Sequence, residues 1–227
     1  MGDGKDRGET AYGHPPVKSL RRLLKKTPIY PTYKSLGHYP DYWYWLLRGK
    51  PTRIPHLVKQ RTVQQLGRRY HLRILVETGT YYGEMVAGVK NDFQRVVSIE
   101  FDSKLAASAR GRFKKYSHIE VLQGSSDMRM TELLQTLNQP VLFWLDAGYF
   151  LWAGEKKDAG RLMTELDAIF RHAIKGHVVL VDDVVSWSGR DGTPEVNALE
   201  SDIKRAYPER VISVESGLLC VRHEDFI

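Results

Sequence analysis

The sequence predicts a doubly wound α/β fold: a seven-stranded, mostly parallel sheet with an antiparallel C-terminal hairpin, helices on both faces, and a helical N-terminal extension. Three observations carry this. From His71 onward, short apolar runs alternate with helix-forming stretches, the pattern of parallel strands joined by crossover helices. Two of these runs, Ile74-Leu75-Val76 and Val96-Val97-Ser98-Ile99, lead into the acids Glu77 and Glu100, and a glycine-containing turn follows the first. The last two runs are separated only by Ser216-Gly217, too short for a crossover helix, so they must pair antiparallel.

Taken in order, residues 1–16 are polar and glycine-rich and read as a disordered tail. Val17–Lys26 reads as a basic amphipathic helix, with Val17, Leu20, Leu23 and Leu24 on one face. A turn-rich stretch with Pro28, Pro31 and Gly37 precedes the densest aromatic cluster, Tyr39 to Leu47. Pro55–Tyr70 reads as a helix entering the main domain. Residues 17–70 thus form the extension and 71–227 the domain. Strands are expected at Ile74–Thr78, Arg95–Glu100, Ile119–Gln123, Val141–Leu145, His177–Val181, Arg210–Glu215 and Gly217–His223. Helices are expected between them at Gly83–Lys90, Asp102–Lys115, Asp127–Leu137, Asp158–His172 and Glu195–Tyr207.

A chain of 227 residues with 42% apolar content suits one such domain plus an extension. The net charge of +7 is uneven: residues 1–70 hold 15 Lys/Arg against 4 Asp/Glu, and residues 71–227 hold 19 against 23. An anionic partner for the N-terminal third, such as a membrane surface, is one reading; a solvated basic face is the other. No RNA-reading motif occurs, so nucleic acid is not expected. The single Cys220 excludes an intramolecular disulfide and a CxxC metal site. No apolar run is long enough to span a bilayer and the first residues are not a signal peptide, so a cytoplasmic protein, peripheral at a membrane if the basic segment engages lipid, is expected.

The turn after the first strand reads Glu77-Thr78-Gly79-Thr80-Tyr81-Tyr82-Gly83, an E-x-G-x-x-x-G spacing. It lacks the middle glycine that admits a pyrophosphate, and its carboxylate would repel one. A nucleoside cofactor with a cationic end fits better. This favours S-adenosylmethionine over a nicotinamide dinucleotide. Glu100 can accept both ribose hydroxyls, with Asp102 the better cap for the following helix. Asp146, Asp182 and Asp183 each end an expected parallel strand, where open α/β sheets place ligands. Three converging carboxylates suit a divalent cation such as Mg²⁺; hydrogen bonds to cofactor, acceptor or loop are the alternative.

Strand order and turn together resemble the class I S-adenosylmethionine-dependent methyltransferase fold, a Rossmann-like sheet. More narrowly, Val76 to Thr80, Ser98 to Asp102, Phe143-Trp144-Leu145-Asp146-Ala147-Gly148-Tyr149 and Leu180 to Asp183 resemble bacterial methyltransferase-like proteins associated with polysaccharide or sugar modification. The resemblance implies that Glu77, Thr78, Gly79, Thr80, Tyr81 and Gly83 hold the methionine end of the cofactor. It places the adenosine on Glu100, Phe101, Ser125 and Ser126, and contact with cofactor or acceptor on Asp146. Asp146 and Tyr149 become the candidate catalytic residues, with Lys156 a weaker base. Trp152 and Trp187 lie on the acceptor side. Catechol-type O-methyltransferases place metal ligands at the ends of these same two strands, which makes Asp146, Asp182 and Asp183 the candidate metal set. The implied reaction is methyl transfer to a hydroxyl of a small-molecule or glycan acceptor; a homo-oligomer is left open. Gly148 stands where the narrower pattern has histidine. This keeps open an inactive cofactor-binding or anion-binding protein. Replacing Glu100 with Ala is expected to weaken cofactor binding without unfolding the domain.

Overall fold

The computed structural model describes residues 38–49, 54–146, 159–182, 184 and 196–225. The tail, the basic segment Val17–Lys26, Gly148, Tyr149, Trp152, Lys156, Asp183 and Trp187 lie outside the described residues. The elements are α1 (His38–Leu47), α2 (His56–Arg69), β1 (Ile74–Thr78), α3 (Glu84–Val89), β2 (Arg95–Glu100), α4 (Ser103–Phe113), β3 (Ile119–Gln123), α5 (Ser126–Leu134), β4 (Leu142–Leu145), α6 (Ala159–Arg171), β5 (Val178–Val181), α7 (Val196–Ala206), β6 (Arg210–Glu215) and β7 (Leu218–His223). All seven strands lie within a residue of their expected bounds. The expected helix starts hold to within a residue. The helix ends all come slightly early, most of all in α4 and α5, as fraying terminal turns do.

One element differs in kind. The sequence marks no helix in the aromatic cluster, yet His38–Leu47 is helical. Pro40 falls in its first turn, where a missing N–H costs nothing. Aromatic residues are indifferent helix formers. Packing against α2 supplies the remainder: the Arg61 guanidinium lies 5.1 Å from the Tyr42 ring centre.

The strands form one sheet in the order β3-β2-β1-β4-β5-β7-β6, with β7 antiparallel to both of its neighbours. Side chains alternate across it, so each strand feeds two cores. Val76, Phe143, Leu145, Val179 and Val181 meet Met130 of α5, Leu166 and Phe170 of α6, and Ile203 of α7. Leu75, Leu142, Trp144, Val178 and Leu180 meet Val63 of α2, Val86 of α3 and Ala106 of α4. Cys220 is buried in this second layer, as a core residue.

The order reverses between β1 and β4. Thr78 pairs with Ile99 on one side and with Leu145 on the other, and Leu145 pairs with Val181. This register brings Gly79, Glu100, Asp146 and Asp182 to one edge. The crevice at such a switch point is where open α/β sheets bind ligands.

Candidate functional site

Gly79, Tyr81 and Gly83 give the turn after β1 its path, with φ of 83°, 50° and 71°. Gly79 N–H donates to the carbonyl of Ile99 at 2.9 Å, tying the turn to the end of β2. A Cβ on Gly79 would lie 3.3 Å from the Asp146 Cβ, so the turn and the end of β4 already touch. A Cβ on Gly83 would meet the Phe113 ring at 2.6 Å. Its absence is therefore demanded by packing of α4 on α3, a reason distinct from the ligand approach expected of it.

Three carboxyl groups gather beneath the turn. Glu77 is 1% exposed, and burial pushes its carboxyl up to about 8, with the charges of Asp146 and Glu100 acting in the same direction. The Ser98 hydroxyl donates to Glu77 Oε1 and opposes that rise. Since the Ser98 proton is engaged, the Thr80 hydroxyl donates to Ser98 Oγ in turn. Sequence alone gives Ser98 no role. Its signal is a lone hydroxyl in an apolar strand, in register with Glu77.

Glu100 accepts from Tyr81 N–H at 2.7 Å through Oε2 and from Asp102 N–H at 2.9 Å through Oε1. A carboxylate has about four acceptor positions, so two amides fix its plane and leave capacity for a diol. Asp102 caps α4, accepting from Lys104 N–H at 2.7 Å and Leu105 N–H at 2.9 Å. Phe101 is 54% exposed beside them.

Past β3, Ser125 occupies the N-cap position of α5, and Asp127, the expected helix start, lies inside the first turn. The Ser125 hydroxyl donates to Asp127 and the Ser126 hydroxyl to Glu165 of α6. Arg129 holds the Gln123 carbonyl at 2.9 Å. This loop is braced by its own polar groups, and Gly124 runs at φ 145°.

Past β5, the Asp182 amide donates to the Leu145 carbonyl at 2.9 Å, which sets Asp182 beside Asp146. The Asp182 carboxylate meets Lys59 Nζ of α2 at 2.5 Å, with side-chain exposures of 4% and 13%. Among the described residues no group of three His, Cys, Asp or Glu is arranged to hold a metal. An ammonium already stands on the carboxylate that Mg²⁺ was expected to use, so the described part of the candidate set does not fit a divalent ion. Lys59 was missed because only the tertiary packing of α2 carries it to this edge.

His177 lies at the opposite end of the sheet, buried. Its Nδ1 accepts from Val141 N–H at 3.1 Å, and His172 Nδ1 lies 2.8 Å from its Nε2. The two histidines thus form a structural pair away from the crevice.

No helix among the described residues is long and apolar enough to cross a membrane. No family model matches the chain, and no curated protein matches it in sequence. Solved structures match it in fold. An O-methyltransferase from Bacillus cereus in complex with SAH is 16% identical with a TM-score of 0.54, covering 91% of this chain and 97% of its own. The SAH-bound methyltransferase PaMTH1 of Podospora anserina is 16% identical with a TM-score of 0.54, over 95% and 99%. The O-methyltransferase TomG of Streptomyces achromogenes, involved in tomaymycin synthesis and in complex with SAM, is 15% identical with a TM-score of 0.55, over 92% and 96%. The fold of this chain is therefore the Rossmann-like fold of the class I methyltransferases.

Proposed function

We propose that this chain is an S-adenosylmethionine-dependent methyltransferase acting on an oxygen of a small-molecule or glycan-type acceptor. One observation carries the reading: the acids Glu77, Glu100 and Asp146 gather around the Gly79 turn at the switch point of the sheet. A dinucleotide phosphate meets repulsion there, whereas a cationic group relieves the crowding of acids. The matched folds in complex with SAH or SAM support the same choice of ligand.

Bound, the cofactor would supply a methyl group activated on a sulfonium. Glu100, its plane fixed by two amides, would accept the ribose hydroxyls. Glu77 and Asp146, with the backbone of Thr78, Gly79, Thr80 and Tyr81, would hold the ammonium end. Phe101, Ser125 and Ser126 would flank the adenine. Asp146 would also face the acceptor, with Tyr149, three residues on in the sequence, as the candidate base. Transfer of this kind needs in-line positioning more than strong acid–base help. The rigid floor of β1, β4 and β5 supplies that positioning. Helices α1 and α2 would extend the acceptor side.

Calorimetric titration with S-adenosylhomocysteine tests the reading. Micromolar binding is expected, weakened about 10- to 100-fold in Glu100→Gln, which replaces a charged acceptor by an amide. Absence of binding to the wild-type chain would overturn it.

A further inference from the structure

The cation that faces Asp182 is part of the chain. Helix α2 hands the chain to the start of β1 through residues 70–73, so it runs antiparallel to β1 and its first turn stands at the carboxyl edge of the sheet. Contacts that do not involve Lys59 fix it there. Gln60 Nε2 donates to the Glu84 carbonyl at 2.8 Å, and Gln64 Nε2 to Asp92 at 2.8 Å. Arg68 pairs with Asp92 at 2.7 Å. The Gln60 amide fills the space over Gly88 so closely that a Cβ would fall 2.3 Å from it. Lys59 thus arrives at Asp182 on a prearranged scaffold, and the pair it makes is nearly excluded from water.

We propose that, among the described residues, Lys59 is the resident cation of this edge, standing where the sequence suggested a divalent ion, and that the site works without metal. The functional meaning of the pair rests on the methyltransferase reading; its geometry does not. A divalent ion at Asp182 would compete for the Oδ2 that Lys59 engages and would meet the ammonium charge. Lys59 is a positioning residue, orienting the Asp182 carboxylate and placing a positive charge on the acceptor side of the crevice. Removing it takes that charge away from a buried carboxylate. The nearby Asp146 then makes the carboxylate a partial cation site.

The test uses the full chain and Mn²⁺ as probe, followed by electron paramagnetic resonance of the free ion, with parallel S-adenosylhomocysteine titrations in EDTA and in Mn²⁺. The wild type is expected to show no saturable Mn²⁺ site below about 1 mM, and a cofactor affinity equal within about twofold in the two media. Lys59→Met is expected to gain a Mn²⁺ site at least about tenfold tighter than any on the wild type, lost again in Lys59→Met/Asp182→Asn. The double variant removes both charges and provides a folded reference. A saturable wild-type Mn²⁺ site abolished by Asp182→Asn would overturn the proposal. So would a folded Lys59→Met that gains none. Failure of S-adenosylhomocysteine to bind in either medium would sink the methyltransferase reading and leave the Mn²⁺ result to be read on its own.

Discussion

Glu77 holds its proton to about pH 8 because it is buried, with Asp146 and Glu100 close by. Its folded pKa lies above the value of 4.5 that an unhindered glutamate has, so its contribution to stability is complete below that value and is lost as pH rises through 8. The ligand-free protein should lose melting temperature across this window, and Glu77→Gln should flatten the slope; an unchanged slope in the variant would exclude Glu77 as its source. A bound ammonium lowers the same pKa. S-adenosylhomocysteine binding at pH 7 should therefore release a fraction of a proton, read as a dependence of calorimetric enthalpy on buffer ionisation heat. Glu100 revises an expectation. It accepts two backbone amides and is fully buried, so Glu100→Ala strands two donors and should cost about 2–4 kcal/mol of stability besides affinity. Glu100→Gln is the cleaner probe. Glu77, Gly79 and Glu100 were legible because local turn chemistry declares them. Ser98 was half legible, as an odd hydroxyl in an apolar strand. Lys59 was not, because its partner lies 123 residues away.

At the scale of elements, two glycines separate conformational from steric demand. Gly83 has a positive φ and faces the Phe113 ring, whereas a Cβ on Gly111 in α4 would meet nothing within 4 Å. Gly83→Ala should destabilise by about 2–4 kcal/mol, and Gly111→Ala should stabilise by up to about 1 kcal/mol, both read by denaturant unfolding. The histidine pair that joins the end of α6 to the start of β5 gives a second slope with pH. Burial holds the His177 pKa down to about 3, below its ordinary 6.5, with His172, Arg210 and Lys175 adding to the effect. The unfolded chain takes up that proton first, so stability is full above 6.5 and falls as the pH drops toward 3. His177→Gln should remove much of this acid sensitivity in a melting series; a variant as acid-sensitive as the wild type would place its origin elsewhere. Strand positions were legible from short apolar runs with sharp polar ends. The helix His38–Leu47 was not, because its aromatic residues carry no clear helical preference and its support comes from α2.

At the scale of the molecule, the alternation of strands and helices and the two-residue link before the last strand were enough to specify the sheet and its antiparallel end. The neighbours of β4 were not written in any local pattern. They follow from which faces must be covered: α2, α3 and α4 close one side, and α5, α6 and α7 the other. That arrangement sets β1 between β2 and β4 and so creates the crevice. The same topology puts an ammonium on Asp182, where the sequence suggested a divalent ion. An N-terminal helix that covers the β4 side of the sheet also delivers a lysine to its carboxyl edge.

A crystal structure of the chain with S-adenosylhomocysteine is the most direct test of the proposed site. The ribose hydroxyls should lie on the Glu100 carboxylate and the amino-acid end against Gly79, Glu77 and Asp146. The ligand seated away from the β1–β4 switch point, or density absent at saturating concentration, would contradict the assignment.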